Sequence, residues 1–192
     1  MIQFLEESHP KLLERIFETL RSRVPRIESV RSEETRDGKL LLLIKDAPFA
    51  DPILARFASD GTLKMLSYLV VLLDPDPPPF IGIKEPVNYL YPRLLPELGE
   101  ECRKATERSQ LLVTTHSPFF LDAVHTPAVR ILYRDEQGFT QATRASDIQG
   151  IPEFLANGAS LGRLWLEGHF RVGDPLVRGG RADAAGLRPW LQ

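Results

Sequence analysis

The chain has 192 residues with 24 basic against 26 acidic side chains, and the resulting net charge of -2 argues against nucleic-acid binding driven by overall charge. Its 43% hydrophobic and 26% charged residues suit one globular domain or a tight pair, and exclude a disordered or fibrous chain. No apolar run approaches the roughly 18 to 20 residues that span a bilayer, the start MIQFLEESHP has no signal-peptide core, and the lone Cys102 forms no internal disulfide, so a cytoplasmic protein without membrane contact is expected.

In chain order, Ser8-His9-Pro10 before KLLERIFETLRSRV predicts a helix with Ser8 as its cap, since Pro10 costs little in a first turn. Leu12, Leu13, Ile16, Phe17 and Leu20 fall on one face of it at helical spacing, and Pro25 ends it. Residues 26–34 and 39–44 are β-rich runs separated by Asp37-Gly38, a two-residue hairpin signal. Residues 62–73 (TLKMLSYLVVLL) are apolar nearly all round, which predicts a buried helix stopped by the proline run DPDPPP. Residues 80–83 suit a buried parallel strand, 92–106 a helix, 111–115 a second strand, 117–124 a short helix and 129–133 a third strand. Gln137-Gly138 then turns into an edge strand over 139–143.

Short apolar strands alternating with helices indicate an α/β fold with a mostly parallel sheet flanked by helices, with an antiparallel hairpin near its start. The expected divisions are 1–56 for the helix and hairpin, 57–173 for the core, and 174–192 for a flexible tail without clear period.

Three segments carry candidate chemistry. Ser59-Asp60-Gly61-Thr62 directly precedes a helix, where backbone N–H groups, the positive end of the dipole and a hydroxyl suit phosphate; a plain capping turn explains the same residues. FIGIKEPVNYLYP (80–92) is an apolar strand running into Lys84-Glu85, and a carboxylate at the carboxyl end of a parallel strand stands where open α/β sheets bind ligands. There it can orient a water, or simply form a solvated pair with its neighbour. LLVTTHSP (111–118) ends at His116, which can reach a ligand at the same edge or merely sit beside a helix cap. His9, His125 and His169 read as surface or packing residues, and no Asp/Glu/His cluster has metal-ligand spacing. Cys102 reads as a small packing residue.

Taken in order, SDGT and a helix, a strand with KEPxNxL, a helix, and a strand with TTHSP resemble the C-terminal half of AAA-type ATPases of the ABC/SMC/RecF-like P-loop superfamily. The resemblance runs from about residue 11 to 166 and includes DGKLLLLIKD and IPEFLANGASLGRLWLEG. It implies an ABC-type ATPase head and the use of ATP and Mg2+. Ser59, Asp60, Gly61 and Thr62 match the signature motif, which contacts the γ-phosphate of an ATP held by the opposite subunit. Phe80 to Lys84 match Walker B, Glu85 the catalytic glutamate, Asn88 to Leu90 the D-loop and His116 the switch histidine.

Two departures stand against this pattern. IKEPVNYLYP replaces a motif close to IEEPENGLHP, so Lys84 stands where an acidic residue helps hold Mg2+, which argues against a metal site; a lysine there can instead contact phosphate. The sequence also contains no GxxxxGK[ST] loop, so it is expected to be incomplete at the N-terminus and inactive alone. The implied partner is an N-terminal half-domain or a second ATPase subunit across the nucleotide, with DNA involved only indirectly. The alternative is a non-catalytic interaction or scaffold module that retains the fold.

Overall fold

The computed structural model describes residues 2–24 and 26–173, which form two compact units, one through Ala123 and one from Val124. In the first, α1 (Ile2–Ser8) leads into α2 (Pro10–Arg23). The expectation that Ser8 caps α2 is corrected: Ser8 is the last residue of α1, and His9 holds the break at φ -139 and ψ 54. The residue before a proline is driven out of the helical region, so the break falls at His9. Leu13, Ile16 and Leu20 of α2 are buried, the face predicted from helical spacing.

The hairpin forms as β1 (Ile27–Glu34) and β2 (Leu40–Asp46), antiparallel, with Val30 opposite Ile44 and Glu34 opposite Leu40. The two-residue turn is corrected to a longer one. Thr35 N–H donates to the Lys39 carbonyl and Gly38 N–H to the Thr35 carbonyl, with Gly38 at φ 76, a left-handed position that glycine takes without steric cost. A two-residue strand, β3 (Ile53–Leu54), adds to the other edge of β2, and no periodic signal in so short a run predicts it.

Helix α3 (Asp60–Leu72) buries Thr62, Met65, Leu66, Leu69, Val70 and Leu72. It packs on α2 and on α4 (Leu95–Ala105), which follows β4 (Phe80–Lys84) and a 3-10 turn at Pro92–Leu94. Strand β5 (Gln110–Thr114) runs parallel to β4, with Phe80 opposite Gln110 and Lys84 opposite Thr114, and α5 (Pro118–Leu121) is a single turn after it. Ile81 faces the core, whereas Phe80 and Leu112 are 52% and 57% exposed on the other face. An ionic link ties α2 to α4: Arg23 pairs with Glu97 and with the buried Glu101, and Lys104 Nζ lies 3.0 Å from the same Glu101 carboxylate. A buried carboxylate needs such partners, since an unpaired one costs several kcal/mol, on the order of 3 to 5.

The second unit contains β6 (Arg130–Arg134) and β7 (Thr140–Arg144), an antiparallel pair around the predicted Gln137-Gly138 turn, followed by α6 (Ile151–Ala156) and α7 (Leu161–Leu166). Its core includes Val129, Ile131, Ile151, Leu161, Leu164 and Phe170, with Trp165 tilted against Phe170. The α/β class is therefore present with one parallel pair and antiparallel hairpins among the described residues. The tail expected over 174–192 lies outside them.

Leu69, wholly buried at 0% exposure, and Leu112, at 57%, give a paired test of this core. Leu69→Ala is expected to lower unfolding free energy by about 2 to 5 kcal/mol and Leu112→Ala by less than about 0.5 kcal/mol. Equal losses in urea titrations would contradict the burial pattern.

Candidate functional site

The carboxyl edge of β4 and β5 brings the second and third candidate segments together. One further ladder bond, Glu85 N–H to the Thr114 carbonyl at 2.8 Å, carries the parallel pairing past the end of β4. Glu85 then turns sharply, with φ 46, in the left-handed region that costs a residue other than glycine about 1 kcal/mol or more. Its carboxylate is half-buried and accepts from the His116 N–H at 3.4 Å, while His116 Nε2 lies 3.8 Å from the other carboxylate oxygen. The imidazole itself is 91% exposed, free to approach a ligand from solvent.

From Glu85 the chain folds into a tight loop. Asn88 N–H donates to the Glu85 carbonyl and Leu90 N–H to the Val87 carbonyl, with Pro86 and Leu90 buried beneath. Asn88 is exposed, and so are Tyr89 and Tyr91, at 72% and 64%. Tyr89 also takes positive φ, 70°.

The first candidate segment meets this loop through backbone. A Cβ added to Gly61 would lie 2.9 Å from the Tyr89 carbonyl oxygen, closer than real contacts allow, so only glycine lets the start of α3 pack there. Ser59 is the cap of α3: its hydroxyl accepts from Thr62 N–H at 3.2 Å and lies 2.8 Å from the Thr62 hydroxyl. The capping account of Ser59 and Thr62 is thus realised, and the amides of Asp60 and Gly61 are left as first-turn donors without an intrahelical acceptor. Asp60 puts an exposed carboxylate at the same helix end, which suits the dipole and competes with an incoming anion. Neither Ser59 nor Asp60 forms a hydrogen bond or ion pair with Glu85 or His116 among the described residues.

Tyr89 falls within the D-loop-like segment 88–90, where the sequence marks Asn88 rather than Tyr89 as the binding residue. The Tyr89 carbonyl lies against Gly61, where a Cβ would collide with it, and the residue lines a groove of about 400 Å3 with Asp60, Leu63, Lys64 and Ser67. A backbone contact of this kind leaves no side-chain signal beyond the glycine it requires.

Cys102 is buried, and burial, aided by the Glu101 charge, pushes its thiol up to about 12. It is a packing residue and no nucleophile at neutral pH. Among the described residues no group of three His, Cys, Asp or Glu side chains could hold a metal ion, and none of the helices is long and apolar enough to cross a membrane. The donors present do not fit Mg2+: the residue beside Glu85 at the end of β4 is Lys84, whose ammonium has no lone pair for a cation.

The family model described as "AAA domain, putative AbiEii toxin, Type IV TA system" matches residues 4–122, more than half of the chain and all three candidate segments. The chain belongs to this AAA ATPase family. Within it, the fold is that of the ABC/SMC-like P-loop ATPases. A structure from work on ATP-driven dimerisation and DNA-stimulated activation of SMC ATPases aligns with TM-score 0.58 at 14% identity, covering 83% of this chain and 100% of that one. The Smc head domain of Pyrococcus furiosus with an extended coiled coil, bound to the C-terminal domain of ScpA, aligns with TM-score 0.59 at 14% identity, over 81% of this chain and 40% of that one. A SmcHead bound to the C-winged helix domain of ScpA aligns with TM-score 0.58 at 15% identity, over 73% of this chain and 44% of that one. The AAA chain therefore spans less than half of the last two structures. A search of curated proteins returned no match.

The Gly61 contact is directly testable. Gly61→Ala is expected to destabilise the AAA domain by about 1 to 3 kcal/mol, because the obstacle is backbone and cannot rotate away. Amide chemical shifts of Val87 to Leu90 should move with it; a variant of unchanged stability and shifts would show that the two loops are not coupled.

Proposed function

We propose that this AAA chain supplies the phosphate-sensing and water-orienting half of a composite ATP site, completed by a P-loop from another segment or chain. The observation that carries the reading is the pairing of Glu85 with His116 at the carboxyl edge of β4 and β5, where α/β sheets bind ligands. The adjacent start of α3, fixed to the Glu85 loop through Gly61 and Tyr89, supports it.

Each residue then has a physical role. ATP, when bound, supplies the phosphoryl group to be transferred. The amides of Asp60 and Gly61 donate to its terminal phosphate oxygens with the α3 dipole behind them, and Ser59 and Thr62 hold that helix end rigid. The half-buried Glu85 carboxylate accepts a hydrogen bond from the attacking water and aims it, and the exposed His116 ring donates to the terminal phosphate, where charge develops. Asn88, exposed on the loop, faces the completing subunit. No step runs through Mg2+, which the residues present do not fit. A second copy as partner follows the ATP-driven dimerisation described for the similar SMC ATPases, and DNA enters only through such an assembly.

With no GxxxxGK[ST] segment in the 192 residues, the isolated chain is expected to bind ATP weakly and to hydrolyse none above a Glu85→Gln control. At millimolar ATP, the amide resonances of Asp60, Gly61, Glu85 and His116 should shift, and AMP should not shift them. Unmoved resonances would sink the site assignment. Turnover that vanishes in Glu85→Gln would overturn inactivity alone.

A second reading, a non-catalytic interaction module that retains the fold, is favoured by the exposed Phe80 and Leu112 on the outer face of β4 and β5, because parallel sheets normally have both faces covered. It predicts concentration-dependent self-association by sedimentation, weakened in Leu112→Glu. A monomer at all concentrations would count against it.

A further inference from the structure

Lys84 closes β4 opposite Thr114, which closes β5, and both are exposed on the face that carries Phe80, Gly82 and Leu112. The Lys84 ammonium has no hydrogen bond or ion pair among the described residues. It does not neutralise the carboxylate next to it, since the left-handed turn at Glu85 sends that group to His116. The edge therefore presents a free ammonium and the Thr114 hydroxyl beside a carboxylate that is already engaged. That arrangement attracts an anion, and it repels a divalent cation, because two like charges a few ångströms apart oppose each other whatever the local dielectric.

We infer that this edge takes the polyphosphate of its nucleotide without a divalent cation, with Lys84 supplying the positive charge. The inference rests on the ATP reading above and specifies how that site handles phosphate charge. Lys84 contacts phosphate oxygen as a point charge, Thr114 donates a hydrogen bond alongside it, and Glu85 remains free of metal to orient water.

The test is calorimetric titration of the full chain with ATP, once in EDTA and once in excess MgCl2, with inorganic tripolyphosphate as competitor. The dissociation constants in the two buffers should agree within about twofold, and tripolyphosphate should displace ATP. Lys84→Gln should weaken binding in EDTA about tenfold, the size of one charge-assisted contact, and Lys84→Glu should make binding depend on Mg2+. Both variants change an exposed side chain, and circular dichroism confirms that they fold. Tightening of the wild type by tenfold or more in Mg2+, or unchanged binding by Lys84→Gln, would overturn the inference and leave the ATP reading intact. Failure of tripolyphosphate to compete would assign recognition to the nucleoside and overturn it as well. Absence of ATP binding in both buffers would overturn both.

Discussion

The parallel register of β4 and β5 is the constraint on which the site depends. Because Lys84 pairs with Thr114 and the ladder continues to Glu85, both strands end at one level, and whatever follows each is delivered to one edge. Glu85 and His116 are 31 positions apart in the chain, yet the parallel crossover through α4 leaves them in contact. A shift of one residue would turn Ile81 out of the core and move the carboxylate away from His116, so core packing and site geometry are set by the same pairing.

The start of α3 joins this edge by a different kind of contact. No side chain of the SDGT segment reaches Glu85; the connection is the close approach of Gly61 to the Tyr89 carbonyl. There is no room for a side chain between them, so the position of the first turn of α3 is set sterically by the Glu85 loop. The Ser59 cap keeps the end of the helix from fraying, which holds the remaining amides in fixed directions.

Much of this was legible in the sequence because periodicity and turn chemistry are local. The face of α2, the burial of α3, the hairpins and the apolar strands before Lys84 and His116 follow from spacing alone. What escaped was set by tertiary or steric context. The break at His9 depends on Pro10 acting on its predecessor, β3 exists only because β2 offers it an edge, and the hairpin turn is lengthened by the Thr35 to Lys39 bonding. At the candidate site, residues 59–62, 85 and 116 stand out in the sequence by their positions before a helix or after a strand. The pairing of Glu85 with His116 needed the register, and the part played by Tyr89 lies in its carbonyl, which every residue possesses.

The backbone at Glu85 has a consequence for how the protein would respond to engineering. A glycine would occupy φ 46 with less strain, so the glutamate is held there at a cost in folding free energy of about 1 kcal/mol. Selection for thermal tolerance alone would favour replacing it. The heat-resistant variants most readily recovered would therefore include ones that have shed the carboxylate facing His116, and a screen for stability needs a second, ligand-dependent readout to keep it.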